Sequence, residues 1–327
     1  VIRDLDSSLV GSEMCIRDRV QSVKPLLDRS EIAIRSPDEW AVERNSPLAE
    51  KTFYFVTALR PFSLVVALVS CGIGIKLASP QGGTEVVLAV AVMISGLLLQ
   101  CGVNLINDRA DLHCLAADSD KYKVARKQIL RNFYLGLVCF AIAAAIGVGI
   151  ALETGPIVVV VGLVGLFGAY AYTQEPFNYK RRGLGVAFVF LLMGLLMVQG
   201  AYLAISGEFS LSVLAHSLPI SCLIALLLLS NELRDYEKDT ALGIHTLTVR
   251  IGFANAVRLY WSMILAAYLI VGLLIAVGDL PPSPWLLLHL PMLPLLAHYL
   301  EASERLPLTP CTGQFLLLFG VGYILAL

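Results

Sequence analysis

The chain has 327 residues, of which 57% are hydrophobic and 15% are charged, and its mean hydropathy is +0.76. Because the apolar residues form long uninterrupted runs, this composition excludes a soluble globular protein and predicts a polytopic membrane protein. The net charge of −1 gives no basis for nucleic-acid binding. The seven cysteines are scattered, with no C-x-x-C pair and no His/Cys ligand spacing, so we expect neither disulfides nor a zinc site.

The first 51 residues are polar and precede the first apolar run. The segment 1–19 has no initiator Met at position 1 and no helical or strand periodicity, and it resembles translated sequencing-adapter sequence, so we expect no function from it. We expect residues 1–51 to form a disordered cytoplasmic lead-in. Residues 52–327 are expected to form one membrane domain whose first apolar run is its own insertion signal.

Nine apolar runs follow, most of them near the ~20 residues that a bilayer crossing needs. They lie near 55–78, 85–107, 131–152, 156–173, 184–205, 212–231, 254–277, 284–300 and 313–327. The sequence therefore predicts an all-α fold with nine transmembrane helices.

The basic residues are distributed on one side of these predicted spans. If the nine spans alternate, Lys76 alone among the 24 Lys and Arg residues falls on the other side. The connections near 79–84, 153–155, 206–211 and 278–283 contain no Lys or Arg. Since cytoplasmic loops retain positive charge, we expect the N-terminus and the basic loops to lie in the cytoplasm. The membrane is then expected to be the cell (inner) membrane.

An acidic segment ends the second apolar run, with the sequence N-L-I-N-D-R-A-D from Asn104 to Asp111. On an α-helix Asn104, Asp108 and Asp111 fall at i, i+4 and i+7, so they line one face. Converging carboxylates would repel one another unless a cation lay between them. The sequence therefore predicts one half of a metal site here.

A second acidic segment ends the sixth apolar run, with the sequence N-E-L-R-D-Y-E-K-D from Asn231 to Asp239. Asn231, Asp235 and Asp239 fall at i, i+4 and i+8 and again share a helix face. Carboxylates with phosphate as a further ligand are the environment that Mg²⁺ prefers. The alternative is that Asn and Asp merely cap helix ends at the membrane surface; capping explains one acidic residue better than two patterned sets.

The connection after the fourth run, from Tyr170 to Gly185, combines basic and aromatic residues. Its Lys180, Arg181 and Arg182 could bind phosphate oxygens. The faces of Tyr170, Tyr172 and Tyr179 could stabilise an allylic cation. The alternative is that the basic residues only follow the positive-inside rule and the aromatic residues form an interfacial belt. At this point both interpretations stay open.

Together these segments resemble those of UbiA-type intramembrane prenyltransferases, over residues 52–327. The run from Asn231 to Gly252 is similar to the N-x-x-R-D-x-x-x-D-x-x-x-G-x-x-T-L…G pattern of the branch that prenylates 1,4-dihydroxy-2-naphthoate in menaquinone synthesis. L-R-P-F-S-L at Leu59–Leu64 and Y-T-x-x-P-x-x-Y-x-x-x-G-L-G across Tyr172–Gly185 are similar to that branch as well. The resemblance implies nine helices around a lipid-accessible central cavity with cytoplasmic cap loops.

The chain departs from the family pattern at two positions. Leu115 stands where many relatives have a third Asp in the first segment, which leaves Asp118 as a possible further ligand. Val186 stands where the naphthoate branch commonly has an acidic residue. The departure at Leu115 concerns the metal ligands, and the departure at Val186 concerns the acceptor.

The resemblance implies Mg²⁺-dependent transfer of a polyprenyl group from an allylic diphosphate to a small aromatic acceptor at the lipid bilayer. The implied catalytic and metal-binding residues are Asp108, Asp111, Asp235 and Asp239, and the implied diphosphate-binding residues are Asn104, Asn107, Lys180, Arg181, Arg182, Asn231 and Arg234. The alternatives are another acceptor, such as 4-hydroxybenzoate, homogentisate or a lipid alcohol, or cyclisation of the prenyl diphosphate. A transporter is a further alternative, because ionisable residues in spans often mark ion pathways.

Overall fold

The computed structural model describes residues 54–79, 86–109 and 120–327, with side chains described from Lys123 onward in the last range. In these three ranges every regular element is helical. The lead-in 1–51 and the predicted ligands Asp111 and Asp118 lie outside the described residues.

The helices follow one another along the chain with short connections. They are α1 Phe55–Leu59, α2 Val65–Ala78, α3 Val86–Asn107, α4 Asp120–Thr154, α5 Ile157–Ala171, α6 Gly185–Ser206, α7 Leu211–Arg234, α8 Tyr236–Ala241, α9 Leu247–Ile251, α10 Phe253–Ala276, α11 Leu293–Glu301 and α12 Leu308–Ala326. Short 3₁₀ turns occur at Pro61–Ser63, Pro284–Leu287 and Leu290–Met292.

The described residues contain 6 helices long and apolar enough to cross a membrane, or 7 if the bent pair α1–α2 is one span. The all-α, multi-pass prediction is confirmed, but the count of nine is not. Helix α5 has 15 residues, which at ~1.5 Å per residue gives about 22 Å, short of the ~30 Å hydrocarbon core.

The predicted span 284–300 is also not a continuous helix. It divides into the two 3₁₀ turns Pro284–Leu287 and Leu290–Met292 and the nine residues of α11. Pro284, Pro291 and Pro294 explain the breaks, since proline lacks a backbone N–H and its ring clashes with the preceding turn. Hydropathy alone cannot distinguish such a segment from a regular span.

The first span is bent by 45° between its two parts. Arg60 ends α1 in the left-handed conformation, with φ of 49°, and Pro61 follows it. The residue before a proline is disfavoured in the α region, so the helix ends there and restarts at Val65. The break projects the Arg60 side chain away from the helix axis and toward the end of α3, where Asp108 accepts a hydrogen bond from it.

Helices α7 and α12 form the centre of the bundle. About two thirds of the apolar window of α7 (67%) and 61% of that of α12 are buried, against 22–39% for the other spans. The hydroxyl of the buried Tyr260 is hydrogen-bonded to Thr312 Oγ1 at 2.8 Å, and that of Tyr323 to His216 Nδ1 at 2.8 Å. Both hydroxyls thus have a partner inside the bundle. The second acidic segment therefore follows the most buried of the spans.

Helix α6 contains a π-helical segment, Phe190–Leu196. Its Gly194 packs against α7 so closely that a β-carbon there would lie 2.6 Å from the Cα atom of Ser221. Ser70 of α2 donates to the carbonyl oxygen of Met193 at 2.9 Å, which satisfies a polar group in the altered helix. The π segment therefore lets α6 pack tightly against α7 and α2 while its other face borders a cavity.

Candidate active site

The first acidic segment lies at the C-terminal end of α3 and is buried. Asn104, Asn107 and Asp108 are 5%, 1% and 8% exposed. Arg60 Nη2 donates to Asp108 Oδ1 at 3.1 Å. With its amide oxygen oriented toward Arg60, Asn107 accepts from the same guanidinium nitrogen at 2.8 Å. One arginine thus holds the two side chains that end α3.

Asn104 connects α3 to the turn that contains Arg60. Its Nδ2 atom donates to the carbonyl oxygen of Leu59 and to Ser63 Oγ, both at 2.7 Å. Asn104 therefore fastens α3 to the turn around Arg60, and so fixes the arginine that pairs with Asp108.

The second acidic segment begins where α7 ends. Asp235 is the residue between α7 and α8, and Arg234 forms two hydrogen bonds to it, Nε to Oδ1 at 3.0 Å and Nη2 to Oδ2 at 2.6 Å. Arg234 Nη1 also donates to Thr309 Oγ1 of α12 at 3.3 Å, while Asn231 Nδ2 donates to the Leu227 carbonyl at 3.3 Å. Burial alone would raise the pKa of Asp235, but the Arg234 guanidinium outweighs it and holds that pKa below its usual value.

Asp239 lies one helical turn after Asp235, and its backbone N–H donates to the Asp235 carbonyl at 2.8 Å. Burial and the neighbouring Asp235 carboxylate raise the pKa of Asp239 to about 7, although Lys180 and Lys238 oppose the shift. The Asp235 carboxylate thus destabilises the charged form of Asp239, and a divalent cation between the two would relieve this repulsion.

The connection between α5 and α6 brings Lys180 to the second acidic segment. Lys180 N donates to the Tyr172 carbonyl at 3.1 Å, which fixes the backbone of the turn. The Lys180 ammonium stabilises the charged forms of both Asp235 and Asp239 and so opposes the rise in the pKa of Asp239. It therefore lies within electrostatic range of the pair. Arg181 is half-buried, whereas Arg182 is exposed and its guanidinium donates to the Pro176 carbonyl.

The aromatic residues of this connection do not form a single group. Tyr172 and Tyr179 are buried with ring centroids 5.3 Å apart, and Tyr179 stacks on Phe188 at 4.6 Å. Tyr179 donates its hydroxyl to the Gly168 carbonyl at 2.7 Å, and burial raises its pKa. The hydroxyl is therefore occupied and neutral. Tyr170 is 41% exposed and does not line the cavity described next.

A cavity of about 210 Å³ begins beside Tyr179 and Phe188. Its wall is formed by α3, α4, α5 and α6 with one residue of α2, and it is almost entirely apolar. Three glycines of its wall have open space beside them, since a β-carbon at any of them would meet no atom within 4 Å; these are Gly147, Gly162 and Gly165. The cavity has the chemistry of a hydrocarbon-binding site.

Helix α12 joins the two acidic segments at one end of the bundle. A β-carbon at Gly313 would lie 3.3 Å from the carbonyl oxygen of Phe62, in the turn that follows Arg60. One turn earlier on α12, Thr309 accepts the hydrogen bond from Arg234. The turn that holds the first segment and the arginine of the second therefore contact the same helix start.

The connection between α5 and α6 joins them a second time. Gln174 Nε2 donates to the carbonyl oxygen of Ile106, next to Asn107, at 3.4 Å. Six residues later, Lys180 acts on Asp235 and Asp239. Contacts through α12 and through this connection thus link the two acidic segments.

Sequence reasoning assigned no function to three residues that this geometry brings in. Arg60 belongs to the L-R-P-F-S-L motif, which indicated the family but gave this residue no function. Glu232, which accepts hydrogen bonds from Thr248 of α9, lies inside the second segment but off the face shared by Asn231 and Asp235. Thr309 had no signal, because only the packing of α12 brings it to Arg234.

Comparisons with known proteins agree on one family. The sequence profile of the UbiA prenyltransferase family matches residues 64–310. The 1,4-dihydroxy-2-naphthoate octaprenyltransferase of Bacillus subtilis (strain 168) is 29% identical over 237 residues, 69% of this chain and 74% of that protein. UbiA prenyltransferase domain-containing protein 1 of Dictyostelium discoideum is 25% identical over 292 residues, 85% of this chain and 88% of that protein.

Solved structures with the same fold point the same way. A UbiA homolog from Archaeoglobus fulgidus bound to GPP and Mg²⁺ has a TM-score of 0.58 at 14% identity, covering 83% of this chain and 99% of that one. The same homolog bound to DMAPP and Mg²⁺ has a TM-score of 0.57 at 16% identity, covering 84% and 99%. At these identities the likeness establishes the fold.

Proposed function

The chain belongs to the UbiA prenyltransferase family, and on that premise we propose that it transfers a polyprenyl group from an allylic diphosphate to 1,4-dihydroxy-2-naphthoate in a Mg²⁺-dependent reaction. The family resemblance of the motifs is confirmed by the profile match, and the protein is a multi-pass membrane prenyltransferase. The acceptor, the metal and the residues that bind them are the proposal.

One observation carries the proposal: Asp235 and Asp239 lie one helical turn apart with the Lys180 ammonium acting on both. Two carboxylates alone would favour any cation, and a lysine alone any anion. A magnesium diphosphate presents both charges at once, so a site of two carboxylates and one ammonium is complementary to it.

The donor set fits Mg²⁺ in number and chemistry. In the described ranges no three His, Cys, Asp or Glu side chains are grouped as a metal site. Mg²⁺ is commonly held by one or two carboxylates and completes its shell with water and substrate phosphate. Asp235 and Asp239 would hold one ion, and Asp108 with Asp111 the other. Bound there, Mg²⁺ supplies neutralisation of the charge that develops on the departing diphosphate.

Arginine pairs keep these carboxylates in place. Arg60 holds Asp108 and Asn107, and Arg234 holds Asp235 while it is itself held by Thr309. We assign Arg60 and Arg234 to orienting the carboxylates and to adding positive charge beside the leaving group. Asn104 then supports Arg60 through the Leu59 turn, and Asn231 would contribute its side-chain oxygen to the surroundings of the ligand.

The remaining positive charge comes from the connection between α5 and α6. Lys180 would bind a diphosphate oxygen directly, because its ammonium lies within electrostatic range of the carboxylate pair. Arg181 and Arg182 would add donors as the diphosphate departs, with Arg182 first giving up its bond to the Pro176 carbonyl.

The hydrocarbon tail of the donor would lie in the apolar cavity. Tyr179 and Phe188 border that cavity beside Lys180, which puts aromatic rings where the diphosphate and the tail would meet. Since the Tyr179 hydroxyl is bonded to Gly168, the ring faces rather than the phenol group would stabilise the allylic cation. Tyr172 supports Tyr179 by packing, and Tyr170 is the weakest candidate of the three.

Two relatives support the naphthoate as acceptor: the proteins of Bacillus subtilis and Haemophilus influenzae, at 29% and 28% identity, are both named 1,4-dihydroxy-2-naphthoate octaprenyltransferase. In the proposed reaction the ring carbon that carries the carboxylate forms a bond to the allylic carbon while the carbon–oxygen bond to diphosphate breaks. The carboxylate then leaves as carbon dioxide, and the electron pair of its bond restores the aromatic ring. The distribution of basic residues supports a site on the cytoplasmic face of the inner membrane.

The test is a product assay on the purified protein in lipid nanodiscs. Radiolabelled polyprenyl diphosphate is offered with 1,4-dihydroxy-2-naphthoate, 4-hydroxybenzoate or homogentisate, with Mg²⁺ or with EDTA. A Mg²⁺-dependent prenylated product from the naphthoate alone supports the proposal. Transfer to another acceptor, or diphosphate release with a cyclised product, keeps the family and replaces the acceptor. An unconsumed donor contradicts the reaction altogether.

A further inference from the structure

A carboxylate with no assigned function lies inside the second acidic segment. Glu232 is 3% exposed and follows Asn231 near the end of α7. Burying a carboxylate is costly unless hydrogen bonds or opposite charge compensate it. The contacts of its two oxygens therefore indicate what it does.

The first oxygen of Glu232 connects the end of α7 to the start of α9. Glu232 Oε2 accepts from the backbone N–H of Thr248 at 3.0 Å and from Thr248 Oγ1 at 3.2 Å. Thr248 is in the first turn of α9, whose N–H groups have no partner inside the helix. The chain between these residues carries both Asp235 and Asp239, and Ile244 N donates to the Asp239 carbonyl at 2.8 Å within it. Glu232 thus fastens the base of the loop that holds the carboxylate pair.

The second oxygen faces the basic connection. Glu232 Oε1 is buried and has no hydrogen-bond partner. A β-carbon at Gly185 would lie 3.6 Å from this oxygen and 3.6 Å from Lys180 Cα, so the oxygen packs against the turn from Lys180 to Gly185. Lys180 also interacts electrostatically with Glu232. A buried carboxylate oxygen without a donor calls for such a nearby positive charge.

We propose that Glu232 is a positioning residue that joins the two parts of the site: one oxygen fastens the loop carrying Asp235 and Asp239 through Thr248, and the other holds Lys180 over that pair. This inference rests on the proposed function only in taking the ligand to be a magnesium diphosphate. Glu232 does not touch the ligand; it acts through Lys180. Without its charge, the long lysine side chain gains rotamer freedom and spends less time facing the carboxylates.

The test is a double-mutant cycle on the binding of inorganic pyrophosphate with Mg²⁺ to the full chain in nanodiscs. Glu232→Gln keeps the size and an oxygen for Thr248 but removes the charge that attracts Lys180. We expect Glu232→Gln to weaken binding about 10-fold, Lys180→Gln to weaken it at least as much, and the double variant to lose no more than about 2-fold beyond Lys180→Gln. Losses that simply add, or a Glu232→Gln protein that binds like the wild type, overturn the proposal.

Glu237→Gln is the matched control. Glu237 lies in the same loop and pairs with Arg305 at 2.8 Å, so the change removes one negative charge nearby without involving Lys180. Pyrophosphate binding is expected to stay within about 2-fold of wild type. An equal loss in Glu237→Gln and Glu232→Gln would mean that the net charge of the loop matters, and it would overturn the specific role of Glu232.

A kinetic readout separates positioning from general support of the fold. In Glu232→Gln the KM for the prenyl diphosphate should rise while the KM for the acceptor stays unchanged; a rise in both contradicts the proposal. If Glu232→Gln does not accumulate, Glu232→Asp replaces it in the cycle, with the same requirement of non-additivity with Lys180→Gln. If the wild-type protein binds magnesium pyrophosphate but prenylates no acceptor, the proposed function is contradicted. The role of Glu232 is then still tested by the double-mutant cycle on pyrophosphate binding.

Discussion

Arg60 and Asp108 form an ion pair of 3.1 Å between two segments that lie 48 residues apart in the chain. The pair exists because Arg60 occupies a left-handed position before Pro61, at the break between α1 and α2. An arginine in a continuous first span would instead follow the helix surface. The break in the first span is thus part of the candidate active site.

Arg60→Gln tests the importance of this pair. The change removes the charge beside Asp108 and the donor to Asn107, so we expect kcat/KM for the prenyl diphosphate to fall by about 10- to 100-fold. Initial rates on nanodisc-reconstituted protein measure it. Arg258→Gln is the matched control, since Arg258 is exposed and its guanidinium donates to Asn255 Oδ1 at 3.0 Å. An Arg60→Gln protein as active as that control would remove Arg60 from the site.

Asp235→Asn tests the second carboxylate pair. The amide keeps the size of the side chain and an oxygen for Arg234, so folding and membrane insertion should be preserved. We expect turnover to fall by at least about 100-fold, because a proposed Mg²⁺ ligand loses its charge. Product formation and size-exclusion profiles measure the two effects. Asp279→Asn, at an exposed position beyond the end of α10, should be fully active; full turnover in Asp235→Asn would contradict the metal assignment.

Gly162→Phe tests whether the apolar cavity holds the prenyl tail. Position 162 lines the cavity and has no atom within 4 Å of a β-carbon, so a phenyl ring can enter the open space without a backbone clash. We expect activity with long polyprenyl diphosphates to fall by about 10-fold relative to short ones. Gly272→Phe adds the same ring at an equally open position of α10 outside the cavity wall, and should leave the preference unchanged. An identical length preference in both variants would exclude this cavity.

Gly194→Leu tests the close contact between α6 and α7. A β-carbon there would overlap Ser221, including its Cα atom at 2.6 Å, so the side chain cannot be accommodated without moving a helix. Overpacking of this kind costs about 1–3 kcal/mol. The thermal midpoint in detergent should fall relative to wild type. Gly149→Leu, where a β-carbon meets nothing within 4 Å, is the control and should unfold at the wild-type temperature.

The comparison of predicted and observed spans shows where hydropathy reasoning is sufficient. Long runs without proline, such as 254–277, became regular helices, because a lipid environment forces every backbone group to bond within its own helix. The run 284–300 is also rich in apolar residues, but Pro284, Pro291 and Pro294 break that bonding and divide it into short turns and α11. Helix α5 is regular but short. The average hydropathy of a segment records neither effect.

The departure at Val186 illustrates a second limit. Val186 is 6% exposed and stands where the naphthoate branch commonly has an acidic residue. In the folded chain a carboxylate oxygen of Glu232 packs beside the preceding residue, Gly185. The sequence shows that one position lacks an acid, but only the packing of α6 on α7 reveals that another residue brings one close.

The sequence by itself determined the membrane class, the family resemblance, and the two acidic sets, because helical periodicity fixes which residues of one helix share a face. It could predict that Asp235 and Asp239 face the same way. Tertiary structure alone decided that Arg60 pairs with Asp108, that Thr309 supports Arg234, and that Glu232 packs against the turn from Lys180 to Gly185. Such contacts join residues far apart in the chain, and they depend on the helix breaks and close glycine contacts that set how the helices pack.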